Sequence, residues 1–340
     1  MPHLVAAPDK FRGTASAEEA AQAMVDAAST AGWTADAIPM SDGGEGLLDA
    51  VGGEAQFTQV PGPLGSPTRA EWRLLASPDR QGPTAVIEMS KAAGRALLPH
   101  PTGQDPINAD TSGVGTLLLA AREVGASHIV IGCGGSATTD GGWGAVQAVG
   151  GPEALAGIEL VVACDVTTSF HQAATIFGPQ KGASPQQVEL LSRRLDALAE
   201  RYRESFGVDV DQLAGAGAAG GLAGGLAVLG ARIEPGFALV AELVGLRARI
   251  GQADLVMTGE GHLDRPSFEG KVPGGVIELT GGRCPVVCVV GGAEKEILDS
   301  PPPGVEIISL SATYGSSRAR SETVALIGEV TAGVTARFCP

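Results

Sequence analysis

Apolar runs too short for helices alternate with longer amphipathic stretches along most of this chain, and that alternation constrains the fold more than any other feature. Strand-like runs stand at Pro2–Ala7, in a second run ending at Met40, and at Thr84–Met89, Ser127–Ile131, Leu160–Cys164, Asp254–Thr258, Pro285–Val290 and Glu306–Leu310. Between them, helical patterns cover Thr111–Val124, Pro185–Phe206, Phe237–Ile250 and Arg320–Arg337. An earlier helix lies in "TASAEEAAQAMVDAASTAG", with Thr14 or Ser16 as N-cap and Gly32 past its end. Strands that are apolar on both faces and alternate with helices predict an α/β fold built on mainly parallel sheets.

A length of 340 residues suggests two domains. The Pro/Gly-rich stretch "VPGPLGSPTRAEWRLLASPDRQGP" reads as a two-stranded excursion out of the first unit, and another junction falls near Gly251. The resulting expectation is a discontinuous α/β domain, 1–82 with 252–340, and a second α/β domain, 83–251, inserted into it.

The net charge of −15 argues against a nucleic-acid surface, which needs a basic footprint. No apolar run reaches the ~20 residues of a membrane helix, and "HLVAAPDKF" does not read as a secretory leader. The five cysteines (Cys133, Cys164, Cys284, Cys288 and Cys339) form no CxxC pair and sit mostly in apolar runs, as small hydrophobes of a reducing compartment do. The expectation is a cytoplasmic protein acting on a small molecule, without nucleic-acid or membrane partners; a homo-oligomer is compatible with the chain.

Three Gly-rich loops follow apolar strands and carry acids: "SDGGEG" (41–46), "GGSATTDGG" (134–142) and "TGEGHLD" (258–264). One acidic glycine turn is ordinarily just a turn. Three at strand ends point to a site, because ligands of open α/β sheets bind outside the carboxyl ends of the strands. Carboxylates there can hold Mg²⁺ or accept a proton from a substrate hydroxyl. Glycine N–H groups, with Ser136, Thr138 and Thr139, can cradle an anion. The cations that such a site needs are available at Lys10 and Arg12 in "APDKFRG", Lys181 in "FGPQKGAS" and Lys271 in "SFEGKVPGG", each of which is equally readable as a solvated surface charge. Asp165 ends the buried run "VVACDV", a place for a catalytic acid or a turn acid. Acid, metal and lysine together describe phosphoryl transfer.

Competing motifs are weaker. "GCGGSA" (132–137) and "GAGAAG" (215–220) both match dinucleotide fingerprints, but "TTDGGWGAVQAVGG" is a poor helix start and "DVDQLA" is not a buried strand. No Walker loop is present. His171 and His262 have no partner at zinc-ligand spacing, His3, His100 and His128 have nothing to single them out, and no G-x-S-x-G elbow supports a serine triad.

Taken in order, "APDKFRGTASA", "SDGGEG", "VPGPLG", "AVIEM", "TSGVGTLLLAA", "GCGGSATTDGG", "ACDV", "FGPQKGAS", "GAGAAGGLAGGL" and "ADLVMTGEGHLD" resemble the bacterial glycerate kinases that lack a P-loop, from the first strand to about Gly292. The resemblance implies ATP- and Mg²⁺-dependent phosphorylation of D-glycerate, usually to 2-phosphoglycerate. It further implies two α/β domains, one Rossmann- or flavodoxin-like and discontinuous, with the second inserted and the active site in the cleft between them. On that reading the general base is one of Asp165, Asp42 and Asp140. Asp42, Glu45, Glu260 and Asp264 are candidates for the metal or its water shell, and Lys10, Lys181 and Lys271 for charge neutralisation. Gly43, Gly44, Gly134, Gly135, Ser136, Thr138, Gly259 and Gly261 would cradle substrate or phosphate.

The chain departs from the family pattern twice. "GGPEALAGIEL" is a shortened connection, and "TTSFHQAATIFGPQ" lacks the arginine of a Gly-Pro-Arg-Gly stretch. These departures, with the glycine fingerprints, leave two alternatives: an NAD(P)-dependent hydroxy-acid oxidoreductase, or a non-catalytic relative that binds glycerate or another anion.

Overall fold

A computed structural model describes residues 1–77 and 80–338. Cys339 lies outside the described residues; the other four cysteines are free thiols, of which Cys288 is fully buried. The chain divides into two compact units. The first comprises Met1–Asp42, Asp49–Val51 and the chain from Phe237 onward; the second comprises Gly43–Leu48 and Gly52–Gly236.

The first unit carries the strands β1 (His3–Ala6), β2 (Thr34–Ala37), β9 (Leu255–Leu263), β10 (Val286–Ala293) and β11 (Val305–Ser309). All neighbouring pairs are parallel, in the spatial order β11-β10-β9-β1-β2. Counted within the unit this is the flavodoxin-like order, whose strand sequence reverses direction between β1 and β9. Leu4, Ala6, Met257, Val287 and Val289 pack into one core with Met24, Leu326, Ile327 and Val334 of the helices Ala17–Thr30 and Thr323–Arg337. The first of these helices is capped by Ser16 rather than Thr14. Ser16 Oγ accepts from Glu19 N–H at 3.1 Å, and Glu19 returns a carboxylate to Ser16 N–H at 2.8 Å.

The second unit holds β3 (Glu54–Pro61), β4 (Pro67–Leu75), β5 (Thr84–Glu88), β6 (His128–Gly132), β7 (Glu159–Ala163) and β8 (Arg232–Glu234), in sequential order. From β5 to β8 the pairing is parallel, while β3 and β4 form an antiparallel hairpin on β5. The excursion read at 60–83 is thus a hairpin, and it is hydrogen-bonded into the sheet of the second unit rather than lying with residues 1–82. Trp72 ties the hairpin together, its indole N–H meeting Thr58 Oγ1 at 3.0 Å.

Several elements differ from the sequence expectation for local reasons. The helix read over Phe237–Ile250 is broken at Gly245, which adopts φ 65°, into Gly236–Leu243 and Leu246–Ile250. The loop "SDGGEG" leads directly into a short helix, Leu47–Val51, where the N–H groups of the capping Gly46 and of Leu48 donate to Glu88 Oε1 at 2.9 and 3.1 Å. "TGEGHLD" is not a loop after a strand: β9 continues through it, with His262 and Leu263 paired to Gly292 and Ala293. The departing stretch 167–180 folds as a turn, Phe170–Gln172, and the helix Ala173–Phe177; the fully buried Phe170 ring lies edge-on to Tyr202. No described helix is long and apolar enough to cross a membrane.

Candidate active site

In the first unit the strand order reverses between β1 and β9, and the chain leaving β1 stays beside β9 there. Ala7 N–H donates to Met257 O at 2.7 Å and Asp9 N–H to Gly259 O at 2.8 Å. The chain then folds over at Phe11–Ala15. Gly261 sits below this turn, where a Cβ would meet Arg12 N at 3.0 Å. These features bound a cavity of about 710 Å³ at the carboxyl ends of the strands. Its lining includes the cations Lys10, Arg12, Lys271 and Arg320, the acids Asp9, Asp42, Glu260 and Asp264, and also His262 and Ser311.

The acids differ in their surroundings. Asp9 is buried; its Oδ1 accepts Lys10 N–H at 2.7 Å and lies 3.6 Å from Lys10 Nζ, while Asp42 Oδ1 lies 4.0 Å from the same ammonium. Burial raises Asp9 to about 6; the Lys10 charge opposes that rise and the Asp42 charge adds to it. Asp264 is the cap of the turn Arg265–Phe268, accepting Ser267 N–H at 3.0 Å and Ser267 Oγ–H at 2.8 Å. Glu260 Oε1 is buried and has no hydrogen-bond partner among the described residues. Burial raises Glu260 to about 7, with the Ser267 hydroxyl pulling it down and Asp9 pushing it up. Glu45 is exposed and does not line this cavity. No group of three or more His, Cys, Asp or Glu set to hold a metal ion exists among the described residues. Gly259 is buried, with Val289 O only 1.8 Å from where a Cβ would stand, so it serves the packing of β9 on β10.

In the second unit the loops 43–46 and 132–136 are in contact through glycines. A Cβ on Gly132 would meet Gly43 O at 2.4 Å, and one on Gly134 would meet Gly44 Cα at 2.6 Å. Gly132 and Gly134, the two fingerprint glycines of "GCGGSA", are therefore close-packing residues. "GAGAAG" is as well: Gly220, with φ 73°, would place a Cβ 2.0 Å from Thr138 O, and Gly221 and Gly225 back onto Gly141 and Gly142. "GCGGSA" opens no helix directly, and "GAGAAG" enters the helix Ala218–Val228 through left-handed backbone at Ala219, Gly220 and Gly221. Asp165, exposed at the end of β7, accepts Gly236 N–H at 2.8 Å. Gly135 is exposed, while Ser136 and Thr138 are buried.

Asp140 holds the turn. Its Oδ2 accepts Thr111 N–H at 2.9 Å, Thr111 Oγ1–H at 2.8 Å and Gly144 N–H at 3.0 Å, and its Oδ1 accepts Gly142 N–H at 3.1 Å. These donors include orphan N–H groups at the start of the helix Trp143–Val149, so the acid supplies the cap that the sequence "TTDGGWGAVQAVGG" otherwise lacks. Burial pushes the Asp140 pKa up, and the Thr111, Gly144 and Gly142 donors pull it back. A carboxylate with both oxygens engaged by fixed donors fits a structural anchor better than a proton acceptor.

Lys181 is also drawn inside. Its Nζ donates to Thr138 O at 2.5 Å, and burial lowers its pKa to about 7, with Asp140 opposing the shift.

Lys10, Asp42, Glu260, Gly261, Asp264 and Lys271 therefore share one cavity of the first unit, and Asp140, Thr138 and Lys181 form a cluster within the second. Sequence reading passed over Asp9, Arg320 and Ser311 in the cavity and Glu88 and Thr111 beneath the loops. Asp9 was findable, because it directly precedes Lys10 after a strand. Arg320 was not, since only the return of the chain after β11 brings it there.

A family model described as the glycerate kinase family matches residues 4–154 and 151–323. A glycerate 2-kinase of Escherichia coli (strain K12) is 36% identical over 333 residues, covering 86% of each chain. A glycerate kinase of Bacillus subtilis (strain 168) is 35% identical over 332 residues, again with 86% of each covered. The crystal structure of a protein assigned as glycerate kinase 2 from Salmonella typhimurium LT2 superposes with a TM-score of 0.80 at 32% identity, covering 99% of each chain. The glycines that suggested a nicotinamide cofactor are accounted for by packing, and the matches run through both units; the chain belongs to the glycerate kinase family and is an ATP-dependent kinase.

Proposed function

We propose that this kinase transfers the γ-phosphoryl group of ATP to the 2-hydroxyl of D-glycerate, giving 2-phosphoglycerate and ADP. The observation that carries the reading is the cavity at the β1/β9 reversal, where four cations and four carboxylates line one recess. The acceptor follows the names of the glycerate kinase relatives, and the 2-position follows that of the E. coli relative.

Phosphoryl transfer asks the protein for position and charge neutralisation more than for covalent chemistry. Lys10, Arg12, Lys271 and Arg320 are suited to the triphosphate. Gly261 belongs to the cavity lining, where its backbone can meet a phosphate oxygen. The orphaned Glu260 Oε1 fits Mg²⁺, which takes one or two protein carboxylates and fills its shell with water and phosphate oxygens. Glu260 with Asp42 would hold the ion, and Asp264 would act through its water shell. When bound, the ion would neutralise charge on the phosphate oxygens. The exposed Glu45 has no part in this reading. Asp165, whose carboxylate accepts Gly236 N–H, would take the proton of the acceptor hydroxyl in this reading. Gly43, Gly44, Gly134 and Gly259 act through packing, while the exposed Gly135 is available for backbone contact with the acceptor.

Phosphorus NMR of the product formed from ATP, Mg²⁺ and D-glycerate tests the reading. A 2-phosphoglycerate resonance that grows with ADP supports it, and a 3-phosphoglycerate resonance overturns the assigned position. ADP release with other hydroxy acids but not with glycerate overturns the acceptor.

A further inference from the structure

The Lys181 side chain presents a problem of charge. The residue is only 6% exposed, yet its ammonium has one hydrogen-bond acceptor, Thr138 O, for three N–H donors. No carboxylate lies within ion-pair distance of it among the described residues, and Asp140, the acid whose charge it feels, is occupied by Thr111, Gly142 and Gly144. Beside it, Thr138 is fully buried and its Oγ1 has no partner at all. An enclosed cation without a counter-charge, next to an unsatisfied hydroxyl, is costly unless something completes both.

We propose that Lys181 and Thr138 Oγ1 form the subsite for the acceptor's carboxylate, and that Lys181 makes the enzyme specific for a hydroxy acid over a neutral polyol. This inference rests on the phosphoryl-transfer reading above and assigns the part of the acceptor that the reading left open. Several features favour a carboxylate over a phosphate here. The surroundings are tight, because Gly220 backs directly onto Thr138 O and Thr139 Cα. One ammonium and one hydroxyl match a single negative charge. A triphosphate needs several cations, and those line the cavity of the first unit. An anion bound here would also counter the burial that pulls Lys181 down to about 7. The segment carrying Ser136 and Thr138 follows β6, and Asp165 follows the neighbouring strand β7, so acceptor binding and proton removal fall to adjacent strand ends.

The test compares D-glycerate with glycerol, in which a neutral hydroxymethyl group replaces the carboxylate, in wild-type enzyme, Lys181→Met and Thr138→Val. Loss of a charge-assisted contact is expected to raise the KM for D-glycerate about 10- to 100-fold in Lys181→Met, and by less in Thr138→Val. The KM for ATP should stay within about twofold, because an interaction confined to the acceptor affects acceptor binding alone. The wild-type preference for glycerate over glycerol should collapse in Lys181→Met. A Lys181→Met enzyme that keeps this preference, or that loses activity on both acceptors equally, would overturn the proposal and make Lys181 a loop support. If Lys181→Met does not fold, the preference measured in Thr138→Val decides by the same criterion. Wild-type enzyme that phosphorylates neither acceptor would refute the functional reading itself, a result distinct from either variant outcome.

Discussion

Replacing Asp140 separates an anchoring carboxylate from a catalytic one. In Asp140→Ala the N–H groups of Thr111, Gly142 and Gly144 lose their acceptor, and the Thr111 hydroxyl keeps only the hydrogen bond it receives from Ala145 N–H. Each buried donor left unmade costs about 1–3 kcal/mol, and water entering the space removes part of the sum, so a loss of about 3–5 kcal/mol follows. Asp140→Asn retains one acceptor oxygen but turns an amide N–H₂ toward another donor, which gives a smaller loss of about 1–2 kcal/mol. Trp143 directly follows the two glycines of this turn, and Trp72 lies in the same unit, so tryptophan fluorescence during urea unfolding reports on the affected region. The expected order of midpoints is wild type, then Asn, then Ala, with ATP turnover by the folded Asn variant falling less than about tenfold. An Ala variant as stable as wild type with turnover reduced by a factor of about 1,000 or more would refute the anchoring argument and return Asp140 to the chemistry.

Glu260 predicts a pH dependence. Its folded value of about 7 exceeds the ordinary 4.5, so its contribution to stability is full below about pH 4.5 and is lost as pH rises through 7. Glu260→Gln should therefore flatten the pH–stability curve across that window, by on the order of 2–3 kcal/mol. Mg²⁺ should raise the melting temperature of wild type at pH 8 but not that of Glu260→Gln; equal shifts would remove Glu260 from the metal site. Gly259→Ala would drive a methyl into Val289 O and should cost about 2–4 kcal/mol in thermal or urea unfolding. Its ATP affinity, measured well below the transition, should stay near wild type, and weakened ATP binding without destabilisation would instead mark Gly259 as a phosphate contact. Lys10→Met and Arg320→Met should each weaken ATP binding about tenfold in calorimetry while leaving glycerate binding alone, and the ATP effect should shrink in high salt.

Much of this protein is legible along the chain. Alternating strands and helices specify an α/β fold because a strand buried on both faces must be apolar throughout, and a helix must carry one apolar stripe. Local signals also place elements well: the capping box at Ser16 and the helix Pro185–Phe206 follow from short-range hydrogen bonding and periodicity. What local pattern cannot convey is which strand lies beside which. The hairpin β3–β4 belongs to the second unit because β4 pairs with β5, a partnership that no run of residues announces.

The same limit applies to the site. Acids and lysines in Gly-rich loops are visible in the sequence, but the role of each depends on partners distant in the chain. Asp140 and Glu260 look alike on paper, each an acid beside glycines. Thr111 and the backbone of 142–144 surround the first with donors, whereas the second keeps a buried oxygen with none. The sequence by itself determined the fold class, the motif order and the chemical types assembled. Tertiary structure alone decided that Asp9 and Arg320 join Lys10 and Glu260 in one cavity, that the fingerprint glycines are packing residues, and that Lys181 is buried. The physical reason is that burial and hydrogen-bond partnership set a charge's free energy, and both are properties of neighbours in space rather than in sequence.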